Sequence, residues 1–220
     1  MTADRNTDVA SNFVEDPDSL AEQAYAVWCA EADDVEDRHQ PVQLELSAEH
    51  HVMGAVLKAM DQEWRRMERG GPLRTPFWAD VVDFNGNFVY ACHRVKEDEL
   101  LIPALVKNGG LPQKYVDAVH REHDRAKSLT LGIRDGVEEG DWEKVMRLVA
   151  MYVSFLRPHM HHEEVELFGA LSSELPEEVQ AELRTAFSRI EAEALPTGGR
   201  RRYVDVARRL LDLVGAEYAL

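Results

Sequence analysis

Six side chains carry the chemistry that this sequence suggests: His50, His93, Glu97, His123, His159 and Glu163. Imidazole nitrogens and carboxylate oxygens together bind cations. A His and a Glu four residues apart on a helix share one face, a turn apart. The His-xxx-Asp/Glu pattern alone carries little weight. With 41 acidic residues among 220, about two chance matches are expected for nine histidines. Four occur: His93/Glu97, His120/Asp124, His159/Glu163 and His162/Glu166. A repeat carries more. The segment Lys96–Leu105 (KEDELLIPAL) aligns with His162–Leu171 (HEEVELFGAL) at an offset of 66, which superposes His93/Glu97 on His159/Glu163. Ala48-Glu49-His50 likewise aligns with Arg121-Glu122-His123 at an offset of 73. Two helical hairpins follow, each pairing a Glu-His helix with a His-xxx-Glu helix.

The elements that must position these residues are helices, and no strand pattern competes with them. A short helix is expected from Ser19 to Glu31, then an acidic linker from Ala32 to Arg38. Helix A is expected from Ser47, a suitable N-cap, to Arg69, before Gly70-Gly71-Pro72. Its apolar seam is Leu46, Met53, Leu57, Met60, Trp64 and Met67, with His50 in the remaining stripe position, and the methionines read as core filling. Helix B runs from Thr75-Pro76 to Asn108-Gly109-Gly110, helix C from Pro112 to Glu138-Glu139-Gly140, and helix D from Asp141 to about Leu171. Two more are expected at Pro176–Ala194 and Arg202–Tyr218. Short connections between A, B, C and D force antiparallel neighbours. The expected fold is all-α, an up-down-up-down four-helix bundle with additional N- and C-terminal helices. Residues 1–42 read as an N-terminal extension, 43–171 as the bundle, and 172–220 as a C-terminal helical extension packed on it.

Counting from each loop places the four histidines at one height. His50 and His93 lie about 22 and 21 residues from the A–B loop, and His93 and His123 about 16 and 14 from the B–C loop. His123 and His159 lie about 17 and 19 from the C–D loop. At 1.5 Å per residue, paired histidines differ in height by only about 2–3 Å. At 100° per residue the His93 face holds Val82, Val89, Glu97, Leu100 and Ala104, and the His159 face holds Leu148, Tyr152, Phe155, Glu163 and Ala170. Both glutamates therefore point into apolar stripes, where an uncompensated carboxylate is costly. Four imidazoles and two carboxylates are too many ligands for one tetrahedral zinc. They suit two octahedral-like ions bridged by Glu97 and Glu163, and imidazole-rich ligation suits iron.

Helices A to D contain no Glu-x-x-His, the spacing that ferritin-like bundles use. Instead Glu49-His50, Cys92-His93-Arg-Val-Lys-Glu97 through Pro103, Glu122-His123 and His159-Met-His-His-Glu163 through Phe168 together resemble the hemerythrin-like, or HHE cation-binding, domain over about residues 43–171. That resemblance implies an oxo- or hydroxo-bridged di-iron centre open to a small ligand, with His50, His93, Glu97, His123, His159 and Glu163 as ligands. Oxygen-carrying hemerythrins have a fifth histidine one turn before the helix C histidine, and here that position is Val119. His120, His51, His162 and Tyr152 are candidates for the vacancy. Gly169 stands where the family commonly has Pro. Pro158, beside His159, is expected to bend helix D by removing a backbone bond to Ser154. These departures count against simple oxygen carriage more than against the metal.

The bulk composition narrows the partners. A net charge of −16 opposes nucleic acid and anionic membrane surfaces. Arg200-Arg201-Arg202 reads as a solvated face. The opening residues lack an apolar signal core, and the longest apolar stretch, near Leu148–Leu156, is far short of a bilayer span. Two cysteines, Cys29 and Cys92, without a CxxC pair fit a reduced, cytoplasmic setting. His39, His51 and His161 read as solvated, Cys92 as a small buried residue, and Arg94 and Lys96 as surface partners of the acids. Phe84, Phe88 and Val95 form a second apolar face on helix B, to be covered by the extra helices or by a second subunit in a homodimer.

Three functional classes fit. The leading one is a di-iron protein that binds or reacts with O2, peroxide or nitric oxide in sensing or stress defence, with Tyr90 or Tyr152 as a hydrogen-bond donor to the ligand. The second handles iron, by storage, donation or repair of iron–sulfur centres. The third is a helical interaction module with a structural metal, docking through its C-terminal helices. The same six ligands can carry, sense or turn over a ligand, so the sequence alone does not mark an enzyme.

Overall fold

The computed structural model describes Gln23, Tyr25, Ala26 and residues 41–220, the side chains of 172–174 excepted. The expected helix Ser19–Glu31 and the linker after it, with Cys29 and His39, lie outside the described residues but for those first three positions. Gln23, Tyr25 and Ala26 are helical, and residues 41–220 form six further helices and no strand. These are α1 (Val42–Glu68), α2 (75–107), α3 (Gln113–Glu139), α4 (142–174), α5 (Glu177–Ala194) and α6 (Gly199–Val214). Helices α1 to α4 are the expected bundle helices A to D. None of the described helices is long and apolar enough to cross a membrane.

Helix α1 begins at Val42 rather than at Ser47, with Pro41 in the N-cap position. Ser47 is a good capping residue by type, but it sits inside the helix, buried, and its Oγ donates to Oε2 of Glu164 at 2.6 Å. The expected seam is buried but for Trp64, which is half-buried. Val52, Ala55, Val56 and Ala59 are buried as well, because α4 packs on one side of α1 and α6 on another. Between α3 and α4 the connection is tight: Gly140 adopts φ 68°, and Asp141 caps α4 by accepting from the Lys144 amide at 2.9 Å.

Two helices widen where the repeat lies. In α2 the wide, π-type stretches are Phe84–His93 and Lys96–Leu101, and in α4 the stretch is Glu163–Leu167. There the amide of Ile102 donates to the carbonyl of Glu97, and that of Phe168 to Glu163, five residues back instead of four. Pro103 is not the cause, because Gly169 holds the matching place in the second repeat and the turn opens there too. The extra residue shifts the register. Leu101, Leu105, Leu167 and Leu171 are buried beyond the glutamates, whereas Leu100, Ala104 and Ala170, expected there from 100° steps, are only half-buried. In α2 the buried residues come as pairs every four positions: Phe84/Asn85, Phe88/Val89, Cys92/His93 and Lys96/Glu97. That period gives α2 two buried faces. Phe84 and Phe88 meet the ring of Tyr203 in α6, at 5.8 and 5.6 Å between centroids, so this chain's own C-terminal helix covers them.

Helix α6 runs from Gly199 to Val214, not from Arg202 to Tyr218, and Gly215 at φ 65° stops it. Its basic opening is not a uniformly solvated face, since Arg200 is buried and donates to Glu191 at 2.7 Å. His51, expected in solvent, is also buried. Its ring lies between those of Tyr25 and Tyr218, at 5.1 and 4.8 Å, and its Nε2 meets the Ala219 carbonyl at 2.5 Å.

At the far end of α1 the fully enclosed carboxylate of Glu63 accepts from Arg66 at 2.6 Å and from Arg74, which also donates to the Leu213 carbonyl at 3.0 Å. Burial opposes ionisation of Glu63, but the two guanidiniums outweigh it and hold its carboxyl below the usual value. Glu63→Gln is expected to cost about 3 kcal/mol at neutral pH, because it leaves the pair broken in the interior. The depressed carboxyl contributes stability above its unfolded-state pKa and loses it as pH falls through the folded one. Urea unfolding at pH 7 and at pH 3 should therefore show the gap between wild type and variant narrowing in acid. An equal gap at both pH values would contradict the ion-pair assignment.

Candidate metal centre

The four histidines meet between two apolar clusters. On one side lie Val52, Met53, Val89, Ala126, Tyr152 and Leu156, and on the other Leu46, Leu101, Leu105, Val119, Leu167 and Leu171. Each helix of the bundle sends one imidazole into the layer between them. His50, His93 and Glu97 form one group of buried donors, and His123, His159 and Glu163 a second.

The ring nitrogens are sorted by their partners. Every Nδ1 faces an acid on a neighbouring helix. That of His93 meets Glu49 at 2.7 Å, that of His123 meets Asp98 at 2.8 Å, that of His159 meets Glu122 at 2.8 Å, and that of His50 meets Glu164 at 2.9 Å. A proton on Nδ1 donates to each carboxylate, and Nε2 points inward, where it becomes a lone-pair donor once its own proton is gone. The acids form a closed ring in which α1 orients the histidine of α2, α2 that of α3, α3 that of α4, and α4 that of α1. Asp98 and Glu164 correspond under the offset of 66, and Glu49 and Glu122 under the offset of 73. The sequence carried this signal, since each acid is the chain neighbour of a ligand candidate, but only the fold shows which histidine it serves.

Inside the ring, Nε2 of His50 and Nε2 of His93 lie 3.1 Å apart. Oε1 of Glu163 lies 3.1 Å from Nε2 of His123 and 3.2 Å from that of His159, while its Oε2 lies 3.4 Å from Nε2 of His50. Oε1 of Glu97 lies 3.4 Å from Nε2 of His93, and Oε2 lies 3.4 Å from that of His123. Each glutamate thus turns one oxygen to each histidine pair. Donors about 2.1 Å from a shared ion stand about 3.0–3.4 Å from one another, so these separations suit a bound cation. The polar accounting agrees, because both Glu97 oxygens are buried without a hydrogen-bond partner. Burial and the neighbouring Glu163 carboxylate push the Glu97 carboxyl well above its usual range. Burial also disfavours ionised Glu163, yet His159, His123 and His50 hold it well below. Desolvation works against charged His50 and His123, but their carboxylate partners raise both to about 10. Burial and the charge on His50 press His93 well below its usual value. Protons on imidazole thus balance the carboxylates, and an incoming cation must displace them.

None of the four candidates for a fifth nitrogen or oxygen donor joins these groups. Val119 is packed in the apolar cluster, His162 is exposed, and His51 is engaged by Tyr25, Tyr218 and Ala219. His120 is 44% exposed in its side chain, 3.5 Å from Asp98. Tyr152 is enclosed two turns before His159, in the cluster that also contains Tyr90, whose hydroxyl meets Thr130 at 3.0 Å. A residue the sequence reading passed over is Tyr115, two turns before His123. Its hydroxyl is buried without a partner, and burial together with Glu163, Glu166, Glu97 and Glu122 pushes its pKa up.

Lys96, expected at the surface, is fully enclosed. Its ammonium meets Glu45 at 2.7 Å, Glu49 at 2.5 Å and Glu191 at 2.8 Å. These three acids are themselves spaced as cation ligands, and the lysine supplies the positive charge among them. Cys92 is buried next to His93, as expected, with its thiol pushed up by burial.

Residues 41–171 match the family model described as Hemerythrin HHE cation binding domain. No curated protein and no solved structure gave a match. The matched segment covers more than half of the chain and contains all six buried donors, and the chain belongs to the hemerythrin HHE cation-binding domain family.

Proposed function

We propose that this chain holds two irons among the four bundle helices α1, α2, α3 and α4 and, in the cytoplasm, binds or reacts with O2, peroxide or nitric oxide in sensing or in oxidative and nitrosative stress defence. The ligands in this reading are His50, His93, Glu97, His123, His159 and Glu163, with residues 43–171 as the metal-binding unit and 1–42 and 172–220 as its extensions. The observation that carries it is the split of each glutamate between the two histidine pairs. Each ion would be held by two imidazole nitrogens, from His50 and His93 or from His123 and His159, together with the carboxylates of Glu97 and Glu163. A bound iron pair supplies reversible electron exchange and a place for a diatomic or peroxide to attach.

The surrounding residues set the conditions for that chemistry. Phe168 stacks on His50 at 5.1 Å, and Phe155 on His159 at 5.8 Å, which limits water at both imidazoles. The apolar clusters on either side do the same along the bundle axis. Tyr90 and Tyr152 lie toward the α3–α4 turn, in the cluster that Thr130 borders, and offer hydroxyls along that path rather than at the centre.

One observation favours the iron-handling reading. Glu122, which orients His159, is 39% exposed in its side chain, whereas Glu49, which orients His93, is 1% exposed. A half-centre held from the surface is the one from which an ion would exchange. A weak chelator separates the readings, since a donor loses iron to it and a sensor keeps it.

Purified protein is expected to contain about two irons per chain. Near-ultraviolet charge-transfer bands should bleach on reduction and return in air. No iron after anaerobic reconstitution with ferrous ion would sink the proposal. Glu97→Ala and Glu163→Ala should each lose the two-iron state, and a full iron pair with unchanged bands in either would refute that ligand assignment. His51→Ala should keep its iron but lose about 1–2 kcal/mol of stability with its buried hydrogen bond. A drop in iron content would place His51 nearer the centre than its contacts with Tyr25 and Tyr218 do.

A further inference from the structure

The internal repeat makes the two halves of the centre alike in their inner donors, and the surroundings make them differ. Glu49 gives Oε2 to Nδ1 of His93 and Oε1 to the ammonium of Lys96. Lys96 continues to Oε1 of Glu191 in α5, and Oε2 of Glu191 accepts from Arg200 in α6 at 2.7 Å. An unbroken line of charged contacts therefore joins both C-terminal helices to the acid that aims one imidazole. In the second half the position matching Lys96 is His162, which is exposed, and Glu122 holds His159 from a partly open surface. Residues 177–214, which supply Glu191 and Arg200, lie beyond the matched family segment.

We propose that Lys96 is a positioning residue through which the C-terminal helices set the cation affinity of the His50/His93/Glu97 half, making that half the tighter of two unequal sites. The inference rests on the two-metal reading above. A carboxylate held at one oxygen by a buried ammonium presents the other in a fixed direction, and it pays no ordering entropy when the cation arrives. Coupling of this kind is reciprocal. Cation binding must tighten the docking of α5 and α6 by as much as their docking tightens the cation.

The test is a titration of the metal-free full-length chain with cobalt(II), read by its visible absorption. Wild type should fill two sites in two resolved steps. Lys96→Met should weaken the tighter step by about tenfold or more and leave the other within about threefold. Glu122→Gln should weaken the other step instead. In wild type, cobalt loading should slow amide exchange in Glu177–Ala194, and Lys96→Met should lose that protection. A Lys96→Met protein with both steps unchanged, or with both weakened alike, would overturn the inference while leaving the metal reading intact. Failure of wild type to take up two cobalt ions would overturn the metal reading itself, and this inference with it. Should Lys96→Met lose helicity, the isosteric Glu191→Gln decides. A weaker tight step there supports the coupling, and an unchanged isotherm refutes it.

Discussion

A carboxylate carried into an apolar interior costs several kcal/mol unless opposite charge and hydrogen bonds surround it. Glu97 and Glu163 are both carried there, onto the same level, within reach of each other's histidines. Two such groups close together repel, and each raises the cost of the other. The rest of the molecule is arranged around this conflict. Four imidazoles converge to face the two glutamates, and four further acids fix how those imidazoles are turned. Bound metal cations would meet the same need with stronger attraction than protons give.

The acidic ring has a mechanical consequence. Because α1 aims the histidine of α2, and so on around to α4 and back, no two helices contain a complete half-centre. His50, His93 and Glu97 come from α1 and α2, but the acid that turns His50 is Glu164 on α4. Helix packing and ligand orientation are thus one event, and the polar layer specifies the register of all four helices at once. A slip of one helix by one turn, about 5.4 Å, would leave two imidazoles and two acids unpaired in the core. Apolar packing on either side would tolerate such a slip far better.

The bundle, its connections and the convergence of the six donors were legible because they rest on long-range order. Turn residues mark the loops, and the repeat with its level counting is insensitive to small errors. What was not legible depended on a single residue of register. Stepping at 100° per residue through Lys96–Leu101 assumes uniform turns, and the wide turn makes Leu101 and Leu105 the lining residues in place of Leu100 and Ala104. The same widening turns Lys96 inward. A lysine beside an inward-facing glutamate reads as a surface residue on any α-helical wheel, and nothing local announces that Glu45, Glu49 and Glu191 will enclose it. Ser47 misled for a different reason. Its hydroxyl suits an N-cap, and equally suits a buried carboxylate such as Glu164.

A period near four over residues 84–97 of α2 also accounts for the size of the protein. A strictly 3.6-periodic helix buries one stripe, and four such helices close a bundle on their own. Helix α2 buries two. Asn85, Val89, His93 and Glu97 belong to one face, and Phe84, Phe88, Cys92 and Lys96 to the other. A second buried face that ends in a lysine needs both apolar cover and acids, which a lipid-like or purely hydrophobic surface would not supply. Helices α5 and α6 bring both, with Tyr203 against the phenylalanines, and Phe187 and Glu191 against the ammonium. The widened turns thereby expose the face that the C-terminal helices must cover, and the geometry of the histidine–glutamate layer reaches the far side of the chain through α2.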